Sequence, residues 1–90
     1  MQKIDLSSGN ILVTGAAGFI GAALSHRLLD YGCRVIGIDN MNDYYSVGLK
    51  NYRLKALEAE ENFTFIHGDI SDADTVKEIF GKYAPSIEVN

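Results

Sequence analysis

The run Thr14-Gly15-Ala16-Ala17-Gly18-Phe19-Ile20-Gly21 spaces three glycines in a G-x-x-G-x-x-G loop. Such a loop binds with its backbone. Gly15 permits a sharp turn, Gly18 removes the Cβ that would hold a diphosphate off the main chain, and Gly21 lets a following helix pack closely on its sheet. The N–H groups that open that helix, and its positive dipole end, then face the phosphates. A second chemical group stands 18 residues beyond Gly21, where Asp39 ends an apolar run. That separation is close to the roughly 20 residues expected for the acid that accepts hydrogen bonds from an adenosine ribose. A carboxylate there prefers a free 2′-hydroxyl and repels a 2′-phosphate. Neither Ala16, Ala17 nor Asn40 supplies a compensating charge, and Arg34 lies at the far end of its strand. The pair of features therefore points to NAD rather than NADP. The plain alternatives are a glycine turn without a ligand and an ordinary strand-end aspartate.

Other chemistries fit less well. A phosphate-binding Walker loop needs Gly-Lys-Ser/Thr, and Gly81-Lys82 is followed by Tyr83. Thr14 occupies the position where a methyl-donor site usually carries an acid. His26 and His67 have no Cys, His or carboxylate cluster at ligand spacing, so no metal is expected. Lys50, Arg53 and Lys55 read as a solvated helix face rather than an anion site.

These groups need a scaffold. Asn10–Thr14 reads as a strand buried on both faces, followed by a helix with Ile20, Leu24, Leu28 and Tyr31 on its inward face and Ser25, His26 and Asp30 elsewhere. Gly32 stops that helix. Arg34–Asp39 is a second strand. A second helix is expected over Ser46–Glu61, with Tyr45, Leu49, Tyr52, Ala56 and Ala59 on one stripe and Val47 and Leu54 opposite. Phe63–His67 is a third strand. Ser71-Asp72-Ala73-Asp74 resembles a capping box ahead of Val76, Ile79, Phe80 and Tyr83, and Pro85 introduces a fourth strand from Ile87 to Asn90. The β-α-β-α-β-α-β order with short connections predicts an α/β fold with a parallel sheet and right-handed crossovers.

Composition bounds the function. Ninety residues, 47% hydrophobic and 22% charged, make one domain or a piece of one. A net charge of -4 offers no general attraction to nucleic acid or acidic membranes. With no signal-peptide plan and no membrane-length apolar run, a soluble, cytoplasmic protein is expected. The lone Cys33 reads as a small buried apolar residue.

Thr14–Gly21, Asp39-Asn40 and Gly68-Asp69-Ile70, taken in order and spacing, resemble the N-terminal part of the extended short-chain dehydrogenase/reductases, the NAD-dependent nucleotide-sugar epimerase and dehydratase family. The segment 39–50 is similar to the corresponding loop of UDP-glucuronate 4-epimerases. The resemblance implies half of a Rossmann domain over residues 1–90, with strand order 3-2-1-4 and no second domain. It places Gly15, Ala17, Gly18, Phe19 and Ile20 along the diphosphate, Asp39, Asn40, Asn42 and Lys50 around the adenosine ribose, and Asp69 and Ile70 at the adenine. Family members use a Tyr-x-x-x-Lys pair. Here Tyr31, Tyr44, Tyr45, Tyr52 and Tyr83 are followed at the fourth position by Val35, Gly48, Leu49, Ala56 and Ile87. The catalytic pair is thus expected outside these residues, the chain alone to be inactive, and the parent to act through a 4-keto sugar. The alternatives are a non-catalytic dinucleotide-binding module and a structural fragment that self-associates through its β4 edge.

Overall fold

The computed structural model describes residues 9–41 and 47–89. The chain runs β1 (Asn10–Thr14), α1 (Phe19–Asp30), β2 (Arg34–Asp39), α2 (Val47–Glu58), β3 (Phe63–His67), α3 (Ala73–Tyr83) and β4 (Ile87–Val89). The four strands form one parallel sheet in the order β3-β2-β1-β4, as expected from the sequence. Ile11, Val13, Val35 and Phe63 face α1 and α2, where they meet Ala22, Leu54 and Leu57. Leu12, Ile36 and Ile38 face α3 and meet Ile79. The central strands are therefore apolar at consecutive positions because both of their faces are covered. In register, Thr14 lies beside Ile38 and Asp39 beside His67, so the carboxyl ends of β1, β2 and β3 form one rim.

Two helix faces differ from the sequence expectation. In α1, Ile20 is 79% exposed and the C-cap Tyr31 66%, while Ala22 and Ser25 are buried. The cause is Gly21. A Cβ there would run into the Gly15 carbonyl and stand 3.1 Å from the Ala16 Cα, so the helix meets the loop and sheet along its small residues. Ser25 fits that seam by donating its hydroxyl to the Gly21 carbonyl at 2.8 Å. Leu24, Leu28 and Leu29 pack half-buried on its flanks. In α2, Tyr52 and Leu49 are exposed and Leu54, expected on the opposite side, turns inward with Leu57. Tyr45 and the side chain of Val47 lie outside the described residues.

The element ends follow local chemistry. Gly32, at φ 86°, stops α1 with its N–H on the Leu29 carbonyl at 2.9 Å. Asp72 caps α3 by accepting from the Asp74 N–H at 3.0 Å and the Thr75 hydroxyl at 3.1 Å. Cys33 is buried, in keeping with its reading as a small core residue.

Candidate dinucleotide site

The rim of the sheet is shaped by the glycine loop. Gly15 turns off β1 at φ 64°, a left-handed conformation that glycine adopts without a Cβ penalty. The loop is then tied to β2 at two consecutive peptides. The Ala16 N–H donates to the Ile38 carbonyl at 3.1 Å, and the Ala17 N–H to Asp39 Oδ2 at 3.0 Å. Gly37 makes room for this, since a Cβ there would stand 2.7 Å from the Ala16 Cβ and 2.7 Å from the Phe63 ring. A Cβ on Gly18 would press on the Gly15 carbonyl at 3.2 Å. The first internal bond of α1 runs from the Ala22 N–H to the Gly18 carbonyl at 2.9 Å, which leaves the N–H groups of Phe19, Ile20 and Gly21 outside the helical ladder. Gly18 caps without a side chain and the first turn carries no acid, so the positive end of α1 has no anionic complement of its own.

Asp39 is the electrostatic centre. It is 4% exposed, and besides Ala17 it accepts from the Met41 N–H at 2.7 Å and from Lys50 Nζ at 3.1 Å, both on Oδ1. The two turns after β2 and β3 are joined behind it. The Gly68 N–H donates to the Asp39 carbonyl at 3.2 Å, and His67 Nε2 lies 3.0 Å from the Asn40 carbonyl. Met41 holds φ 58°, a strained value for a side chain with a Cβ, and its bond to Asp39 helps fix it.

Gly15, Asp39, Asn40, Lys50, Asp69 and Ile70 come together around a cavity of about 150 Å³, completed by Thr14, Ile38 and Gly68. Gly15, Gly18, Phe19 and Ile20 line a neighbouring apolar cavity of about 460 Å³. Thr14 and Gly15 border both, so the loop runs between them. Ala17 is fully buried and lines neither; what it contributes is its backbone. Asn42 lies outside the described residues. The reading of Lys50 and Arg53 as a solvated face is corrected: Lys50 pairs with Asp39, and Arg53 Nη1 reaches the Ala17 carbonyl at 3.4 Å, with its guanidinium 5.7 Å from the Phe19 ring centre. The i, i+3 spacing of the two cations, with Leu54 and Leu57 completing i+4 and i+7, is the sequence signal that could have found them. Among the described residues no group of three His, Cys, Asp or Glu could hold a metal ion, and no helix is long and apolar enough to cross a membrane.

Asp69 sits exposed at the far wall. Its Oδ1 accepts from the Ser71 N–H at 2.9 Å and the Ser71 hydroxyl at 2.8 Å. First the backbone bond and then the hydroxyl hold its carboxyl below the ordinary aspartate value. A depressed carboxylate contributes stability that is present above its unfolded pKa and is lost as pH falls through the folded value. Ser71→Ala is therefore expected to raise the Asp69 midpoint in an NMR pH titration and move the acid loss of its contribution to higher pH. An unmoved midpoint would show that the backbone bond alone sets it.

Comparison with known proteins agrees with this architecture. The chain is 45% identical over 82 residues to a UDP-glucuronate 4-epimerase of Thermodesulfobacterium geofontis, covering 91% of this chain and 25% of that one. It superposes on the UDP-glucuronic acid 4-epimerase of Bacillus cereus, crystallised with UDP-glucuronic acid and NAD, with a TM-score of 0.70 and 40% identity over 80% of this chain and 23% of that one. The dTDP-glucose 4,6-dehydratase of Bacillus anthracis, crystallised with NAD, gives a TM-score of 0.80 at 29% identity, covering 92% of this chain and 26% of that one. The chain spans about a quarter of the length of the curated relatives it matches. The family profile described as GDP-mannose 4,6 dehydratase matches residues 12–90, nearly the whole chain, and on that match the chain belongs to the GDP-mannose 4,6 dehydratase family.

Proposed function

We propose that these residues form the adenosine and diphosphate part of an NAD site in a nucleotide-sugar epimerase of the UDP-glucuronate 4-epimerase kind. The observation that carries this reading is the buried Asp39 carboxylate, fixed at the end of β2 against the Ala17 N–H and bordering a cavity shared with Gly15 and Asp69. The residues fit the cofactor. A Cβ at Gly18 would crowd the turn that a diphosphate must approach, and three N–H groups at the start of α1 stand outside the helical ladder. Asp39 would accept from the ribose hydroxyls, and Asp69 and Ile70 would meet the adenine edge, a carboxylate and a backbone N–H being able to pair with its amino group and a ring nitrogen. The likeness to enzymes crystallised with NAD supports the same assignment.

Bound NAD would supply a hydride acceptor and donor, which for a nucleotide sugar allows oxidation to a 4-keto sugar and reduction from the other face. The residues described here bind and orient. Proton transfer is not assigned to them, because no Tyr-x-x-x-Lys pair occurs in the 90 residues.

Calorimetric titration of NAD into the chain tests the reading. Saturable binding in the micromolar range is expected, weaker for NADP because the Asp39 carboxylate would repel a 2′-phosphate, and lost in Asp39→Ala. A chain that is folded by circular dichroism and gives no heat with NAD would overturn it.

A further inference from the structure

We infer that Arg53 is a positioning residue for the diphosphate half of this site, acting through the glycine loop from the face of α2. The inference rests on the dinucleotide reading above and deepens it.

Two side chains fix the backbone on either side of the Ala17 Cα. Asp39 holds the N–H at 3.0 Å and Arg53 holds the carbonyl at 3.4 Å. That carbonyl belongs to the peptide that enters Gly18, the N-cap of α1. A loop that receives an anion has to turn its carbonyl oxygens aside, since each carries partial negative charge. Arg53 engages the Ala17 oxygen and so holds it in place beside the start of the helix. The same guanidinium lies 5.7 Å from the ring centre of Phe19, the first residue of α1.

The electrostatics point to an anion. Lys50 is balanced by Asp39 at 3.1 Å, but among the described residues no carboxylate pairs with Arg53. A cation against a helix N-terminus is unfavourable by itself, and the first turn of α1 carries no acid to offset it. The entry of a diphosphate would relieve that concentration of positive charge. Arg53 thus combines a geometric role, setting the loop, with an electrostatic one that turns favourable when phosphate is present.

The test separates phosphate-dependent from general effects. NAD affinity is measured by calorimetry and adenosine affinity by NMR titration, for the wild-type chain, Arg53→Met and Arg53→Lys. Arg53→Met is expected to weaken NAD about tenfold, the loss of one charge-assisted contact, and to leave adenosine within about twofold. The dependence of NAD affinity on salt should flatten in the same variant. Arg53→Lys should recover part of the loss, because it keeps the charge without the planar fork. If Arg53→Met fails to fold, Arg53→Lys carries the test, with NAD weakened and adenosine unchanged. Equal losses for both ligands, or an unchanged NAD affinity, would overturn the inference. A wild-type chain that binds neither ligand would overturn the dinucleotide reading itself, and the role of Arg53 with it.

Discussion

Gly21→Ala is expected to destabilise the protein by about 3 kcal/mol and to abolish NAD binding, a larger effect than a methyl group in a helix would ordinarily have. Alanine normally favours a helix over glycine by up to about 1 kcal/mol. Here the added Cβ would strike the Gly15 carbonyl and lie 2.8 Å from its carbon and 3.1 Å from the Ala16 Cα, all backbone atoms. Those atoms cannot step aside. Gly15 is held in its turn by the Gly18 N–H at 3.0 Å, and Ala16 by the Ile38 carbonyl at 3.1 Å. The helix must therefore move away from the loop, carrying with it the N–H groups proposed to meet the phosphates. Gly15→Ala provides the contrast. A Cβ at Gly15 would meet nothing within 4 Å, so its cost is only that of φ 64° for an alanine, about 1–2 kcal/mol. Urea unfolding of the two variants checks the order. Were Gly15→Ala the more damaging, close helix–loop packing would not be what demands glycine at 21.

The same close contact explains what could be read in the sequence and what could not. The strands were legible because Ile11–Val13 and Val35–Ile36 are apolar at successive positions, a pattern that only two covered faces require. The short alternating connections predicted the parallel pairing, and the order 3-2-1-4 was implied by the family resemblance. The glycine loop and Asp39 were legible because each residue type answers a separate demand at a fixed distance from the other. The phases of α1 and α2 were not. Ile20 and Tyr31 are apolar by type, yet the glycine seam rotates α1 until Ala22 and Ser25 face inward. In α2 the inward stripe is Lys50, Arg53, Leu54 and Leu57, half charged and half apolar, so a search for hydrophobic periodicity selects the outward Leu49 and Tyr52 instead. That one misreading of phase also hid the two cations. Once Leu54 and Leu57 set the rotation of α2, Lys50 and Arg53 necessarily turn toward the rim of the sheet. The site is thus recovered from the core, because packing decides which charges the helix presents.

Asp39→Ala carries the second large effect, an expected loss of roughly 3–5 kcal/mol in stability together with loss of the proposed ribose acceptor. The carboxylate side chain is 2% exposed and its Lys50 partner 13%, so removing the anion leaves a poorly solvated ammonium without its counter-charge. It also strips the acceptor from the Ala17 and Met41 N–H groups. Each unsatisfied donor adds its own desolvation cost, and Met41 loses a bond that holds its positive φ. Asp39→Asn is milder. One oxygen remains to accept from Ala17 or from Met41 and Lys50, but the amide then turns a donor toward the other set. About half the loss of Asp39→Ala is expected. The double variant Asp39→Ala/Lys50→Met identifies the cause: if the stranded ammonium dominates, it should be more stable than Asp39→Ala alone, and the energies should fail to add. Denaturant midpoints give the stabilities and calorimetry the NAD affinity. The proposed ribose acceptor stays absent in the double variant, so its stability should recover while NAD binding does not, which separates the structural work of Asp39 from its proposed work on the ligand. If Asp39→Ala unfolds at the wild-type midpoint, the ion pair is open to solvent and the loop is held by Ile38 and Arg53 alone.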